Sequence, residues 1–199
     1  NLAIVTTVAP AHLEAFESID GIAHEKAAIM NGLGAGGIAV LNADVDRIPI
    51  LREKAVSVGA QVVEFGTKAS DYHLNDVILS NETTVVKATA LGAPVLFRIQ
   101  TAGRHFAMNG LGALAAAQAL GADLAMSVQG LGRWHPYKGR GAREKIVLDP
   151  VETDQMLDLL DDSYNANPTS LAAALVGGGT LFYLLLTGIP IHPHRHQPK

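Results

Sequence analysis

The chain has 199 residues, a formal net charge of -4, a sequence pI near 6.0, 48% hydrophobic and 17% charged residues. That composition excludes a disordered chain, and its acidic balance gives no reason to expect nucleic acid or an acidic membrane as a partner. The absence of cysteine excludes a disulfide scaffold and a thiolate metal site, and the longest apolar run, "TLFYLLLTGIPI", is shorter than the ~20 residues that span a bilayer.

Strand and helix signals alternate from the start. "LAIVTTV" reads as a buried strand, and a buried strand at Asn1 implies that the chain begins inside a domain. "SIDGIAHEKAAIMNGL" has helical spacing, with Ser18 as N-cap. "GIAVLN" is a second strand, Ile50 to Val58 a second helix and "QVVEFG" a third strand. This rhythm predicts an α/β fold with a mostly parallel sheet flanked by helices. "DVILSN", "TTVVKATAL" and "PVLFRIQ" then predict a small antiparallel add-on, and "FAMNGLGALAAAQALG" an alanine-rich helix. "WHPYKGRGARE" is punctuated by proline and glycine and reads as a domain linker. It divides residues 1–135 from a second unit that opens over 136–175 with the strands "KIVLD" and "QMLDLLDD". Residues 176–199 form a divergent tail, in which His192, His194 and His196 alternate.

Gly32 to Gly37, "GLGAGG", fits G-x-G-x-x-G literally. A dinucleotide loop must follow a strand and open a helix, whereas these glycines follow a helix and enter a strand. They are read as helix-end and turn residues. No G-x-x-x-x-G-K-[ST] occurs in the sequence.

Lys26 draws more attention. Ile22, Lys26, Ile29 and Leu33 recur at helical spacing and place a lysine on an apolar stripe. Most such lysines pack their stems and send the ammonium to water. The alternative is a desolvated amine that takes up carbon dioxide as a carbamate, an anionic oxygen ligand suited to Mg²⁺. His12 follows the carboxyl end of the first strand, where parallel sheets bind ligands, and a neutral imidazole there can hold a metal. Asn109, early in the alanine-rich helix, carries an amide that can read adenine or simply face solvent. Arg140 in the linker is either solvated or positioned to grip a phosphate or stack on a base. In "DDSYNANPTSLAAAL", Asn167 and Pro168 read as an N-cap and first-turn proline. That leaves Asp161, Asp162, Tyr164 and Asn165 clustered after a strand.

Five segments in order resemble the Mur ligase family: "AHLEAFESIDGIAHEKAAI", "GIAVLNAD", "GRHFAMNGLGALAAAQALG", "KGRGAR" and "DDSYNANPTSLAAAL". The last resembles the family members that add D-alanyl-D-alanine. The resemblance runs from Asn1 to about Leu175 and implies a Rossmann-like C-terminal domain opening over 136–175 and a cytoplasmic, ATP-dependent ligase of peptidoglycan synthesis. Such an enzyme joins UDP-N-acetylmuramoyl-tripeptide to D-alanyl-D-alanine through an acyl phosphate. By resemblance, His12 and carbamylated Lys26 hold Mg²⁺ and Asn109 contacts adenine. Arg140 contacts the nucleotide and Asp162 the ribose, while Asn165 and Asn167 lie in the substrate-side motif. Three departures qualify it, the first being that the resemblance stops after Leu175. The family's UDP-sugar-binding domain and phosphate loop would precede Asn1, so the chain alone is expected to be inactive. The family's histidine-asparagine pair reads His105-Phe106, which removes one polar contact. The alternatives are a non-catalytic nucleotide-binding or structural remnant, and a folylpolyglutamate synthase-like ligase, against which "DDSYNANP" argues.

Overall fold

Apolar residues on both sides of the first strands require a sheet covered on both faces. The computed structural model describes residues 1–9, 18–80, 82–137, 142–147 and 156–161. Six strands form one sheet in sequence order: β1 (Leu2–Val5), β2 (Ile38–Asn42), β3 (Gln61–Gly66), β4 (Tyr72–Leu79), β5 (Thr84–Ala90) and β6 (Ala93–Ile99). The pairings from β1 through β4 are parallel, and those of β4 with β5 and β5 with β6 antiparallel. This is the predicted parallel sheet with its antiparallel add-on. In β2, Ala39 and Leu41 face one core with Met30 and Leu51, while Val40 faces another with Phe65 and Leu111. The period-two alternation of a strand thus feeds two cores at once.

Helices α1 (Ile19–Ala27) and α2 (Ile48–Ser57) cover the first face. Helix α3 (Arg104–Ala119) covers the other, joined by α4 (Leu124–Leu131). Ser18 caps α1 as expected, its hydroxyl accepting from Gly21 N at 3.0 Å. The expected stripe is only partly realised. After Ala27 the helix tightens into a 3₁₀ turn over Ala28–Gly32, which leaves Ile29 58% exposed and sends Met30 inside instead. A tighter turn rotates each successive residue further around the axis, so the stripe drifts off Ile29. Gly36 has φ +77° in the turn before β2, in keeping with a glycine run that ends a helix and enters a strand.

Helix α2 begins two residues before the predicted Ile50, with Pro49 in its first turn. Helix α4 was not predicted at all. Asp123 caps it by accepting from Met126 N at 2.9 Å, and Leu124, Val128 and Leu131 pack against the α3 core. Gly112 of α3 lets the helix sit close on the sheet: a Cβ there would lie 2.8 Å from Cζ of Phe65.

Strand β4 meets β3 only through Phe65–Tyr72 and Gly66–His73. It therefore starts level with the end of β3 and runs on past it. Two reversals later, β6 points the same way, so Ile99 lies far out on this overhang. Helix α3 starts there at Arg104 and returns across the sheet toward Phe65. The carboxyl edge of β1 to β3 is thus a step beside the overhang. Beyond the linker, β7 (Ala142–Val147) and β8 (Met156–Asp161) pair antiparallel in a separate two-stranded sheet.

Candidate functional site at the carboxyl edge of the sheet

The exits of β1, β2 and β3 are tied together by polar side chains. Asn42, the last residue of β2, is only 6% exposed. Its Nδ2 donates to Thr6 O at 2.7 Å, and its Oδ1 accepts from Asp44 N at 2.9 Å. The Asp44 carboxylate accepts from Thr67 N at 2.8 Å, Thr67 Oγ1 at 3.0 Å and Lys68 N at 2.9 Å. Gly66 makes room for that carboxylate, since a Cβ there would lie 2.9 Å from Asp44 Cγ. Lys26 reaches the same edge from α1. It is half-buried, and its Nζ donates to Thr7 O at 2.8 Å.

Helix α3 is anchored on the overhang by a buried threonine. Thr84 is fully buried, and its Oγ1 donates to Thr101 O at 2.7 Å while accepting from Gly103 N at 3.0 Å. Gly103, with φ +154°, precedes the first residue of the helix. Replacing Thr84 with valine keeps the shape but leaves the Gly103 amide without its acceptor. A loss of about 1–3 kcal/mol is expected, measured as a lower urea midpoint at unchanged m-value.

The rings of His105 and Phe106 pack in a tilted arrangement with centroids 4.0 Å apart, and Phe106 meets Trp134 at 5.8 Å. Burial pushes the His105 pKa below its ordinary 6.5. The unfolded chain then takes up a proton near pH 6.5 that the folded chain refuses, so stability declines as pH falls through that value. Urea midpoints at about pH 7.5 and about pH 5.5 should differ less in His105→Gln than in the wild type.

The expected site residues separate into those the structure describes and those it does not. Lys26 stands at the carboxyl edge, on a helix that packs against one face of the sheet. Asn109 is exposed in the second turn of α3, whose residues pack against the other face, with the helix start on the overhang beside that edge. His105, Phe106 and Asn109 share one side of α3 through i, i+3 and i+4 spacing. His12, Arg140, Asp162, Asn165 and Asn167 lie outside the described residues, as do residues 162–199 with the tail histidines. Asn42, Asp44 and Thr84 were not singled out from sequence. The signal for the first two was available: an asparagine and an aspartate closing an apolar parallel strand stand where such sheets bind ligands.

The Mur ligase middle-domain profile matches residues 1–117. The chain belongs to the Mur ligase family. A Haemophilus influenzae UDP-N-acetylmuramoyl-tripeptide--D-alanyl-D-alanine ligase is 30% identical over 190 residues, covering 94% of this chain and 39% of that protein. The crystal structure of MurF from Acinetobacter baumannii superposes with TM-score 0.78 at 28% identity, over 88% of this chain and 37% of that one. The MurF ligase of Thermotoga maritima, solved in complex with ADP, has the same fold, with TM-score 0.71 at 23% identity over 88% of this chain and 39% of that one. The chain thus spans under two fifths of the length of these Mur ligases.

Among the described residues no group of three or more histidines, cysteines, aspartates or glutamates is gathered to hold a metal ion. The Asp44 carboxylate is engaged by backbone and hydroxyl donors. Of the two residues expected to hold a metal, Lys26 stands at the carboxyl edge with its Nζ donating to Thr7 O, and His12 lies outside the described residues.

Proposed function

We propose that this chain is the nucleotide-handling part of an ATP-dependent Mur ligase that joins UDP-N-acetylmuramoyl-tripeptide to D-alanyl-D-alanine. The observation that carries this reading is Lys26. A half-buried lysine hydrogen-bonded to the segment leaving β1 sits at the carboxyl edge of a parallel sheet, where such sheets bind ligands. The overhang places the start of α3, with Asn109, beside that edge. The likeness to a UDP-N-acetylmuramoyl-tripeptide--D-alanyl-D-alanine ligase supports the substrate, and the MurF ligase of the same fold solved with ADP is consistent with the nucleotide.

In this reading each residue has one task. The Asn109 amide donates and accepts in one plane against the edge of adenine. Arg140 grips the nucleotide, Asp162 accepts from the ribose, and Asn165 and Asn167 hold the substrate side of the motif. Lys26 as a carbamate, with His12, would hold Mg²⁺, which when bound neutralises phosphoryl charge. The chain's own work is to position: a tripeptide carboxylate is activated as an acyl phosphate, and the dipeptide amine displaces the phosphate.

Phosphate release from ATP by the protein that carries this chain tests the reading. Release that requires both the muramoyl-tripeptide and D-alanyl-D-alanine supports it. Release that requires a folate and glutamate instead assigns the chain to a folylpolyglutamate synthase-like ligase. No release, with adenosine still bound, assigns it to a non-catalytic remnant.

A further inference from the structure

We infer that Asn42 is a positioning residue for Lys26, acting through the Thr6–Thr7 backbone. The β1–β2 ladder ends at Val5–Leu41, so the next carbonyl of the departing chain, Thr6 O, has no strand partner in that ladder. The Asn42 side chain takes over there, donating to Thr6 O at 2.7 Å. The following carbonyl, Thr7 O, is the one that receives the Lys26 ammonium at 2.8 Å. Two neighbouring carbonyls are thus held by two side chains, one buried amide and one cation.

Asn42 is itself fixed. Its Oδ1 is taken by Asp44 N, and Asp44 is locked to the exit of β3 by three accepted hydrogen bonds. The chain of contacts therefore runs from β3 through Asp44 and Asn42 to Thr6, and by one peptide to the group that Lys26 grips. Thr7 O belongs to the next peptide unit, so a displacement of the backbone at Thr6 carries the acceptor of Lys26 with it. Without the Asn42 donor, no side-chain hydrogen bond among the described residues holds Thr6 O. A merely structural asparagine would tie β1 to β2 and leave Lys26 indifferent. Lys26 instead docks on the adjacent residue, so its orientation depends on the same tie. The relevance of this positioning to catalysis rests on the carbamate reading given above; the positioning itself does not.

The test measures how fast Lys26 reacts with an amine-acylating reagent, by peptide mass spectrometry on the full chain, relative to Lys54 and Lys87. Two variants are compared. Asn42→Ala removes both hydrogen bonds; Asn42→Asp keeps an acceptor for Asp44 N, loses the donor to Thr6 O and turns a carboxylate oxygen toward that carbonyl. The expected result is a rise in Lys26 reactivity of about two- to tenfold in both variants, with Lys54 and Lys87 unchanged. Unchanged Lys26 reactivity in Asn42→Asp overturns the inference, and so does a rise shared by all three lysines in both variants. If Asn42→Ala alone exposes every lysine, that variant has unfolded and Asn42→Asp decides. Carbamate is measured separately, as a ¹³C resonance from labelled bicarbonate that Lys26→Arg abolishes. Its absence refutes the carbamate reading and leaves the positioning standing.

Discussion

Replacing Phe65 with alanine is expected to cost about 3–5 kcal/mol, the largest single loss among the changes considered for this domain. Phe65 is fully buried near the end of β3 and belongs to the core shared with Val40, Leu111 and Leu114. Its ring fills the space that Gly112 leaves on α3, with Cζ, Cε2 and Cε1 within 2.8, 2.9 and 3.1 Å of where a Cβ would stand. Removing the ring loses its transfer free energy and also opens a cavity between two rigid elements that have little room to close it. Urea unfolding at constant pH measures the loss. The effect identifies its own cause if Gly112→Ala, which fills part of the hole, is less harmful in the Phe65→Ala background than alone.

The second large effect is expected one residue further on. Gly66→Ala should destabilise the chain by about 3 kcal/mol, summed from backbone strain and a steric clash. Gly66 has φ +136°, a region that side chains rarely enter, and its Cβ would come within 2.9 to 3.0 Å of three Asp44 carboxyl atoms. Relief requires Asp44 to move, and Asp44 is bound to Thr67, Lys68 and, through its own amide, Asn42. The prediction is therefore double. The urea midpoint falls, and the Lys26 acylation rate rises in the folded protein as the strand exits loosen. An unfolding free energy within about 0.5 kcal/mol of wild type would show that the turn relaxes without strain.

Much of this architecture was legible because local chemistry and global fold agree. Strand β3 matches its predicted span, and β2 differs only by its first glycine, because each is a β-rich run bounded by turn glycines. Ser18 was legible as a cap because a hydroxyl before a helical pattern has few other uses. Helix α4 was missed because "LAMSVQGLG" carries two glycines and follows an alanine-rich helix, so it reads as the start of the linker; the Asp123 cap was its one clear signal. Strand β4 begins at Tyr72, before the predicted Asp76, because its opening residues are recruited by the end of β3 rather than by their own propensity. At the site, Lys26 was legible as an odd charge on an apolar helix. The Asn42–Asp44 tie was not, since "NAD" after a strand also reads as ordinary turn chemistry. Only register shows which carbonyl the amide meets.

The contact between Phe106 and Trp134 has a spectroscopic consequence. Trp134 is the sole tryptophan of the chain, 37% exposed, at the seam where the residues after α4 meet the first turn of α3. Excited at the red edge of its absorption, this protein emits from one address. The ring it touches, Phe106, lies on the same helix as Asn109, three residues before it. A shift in emission colour during denaturation times the release of that seam alone, while circular dichroism times the whole sheet. If the two curves separate, the overhang and the parallel layer come apart in sequence; if they coincide, the step in the sheet is no boundary to cooperativity.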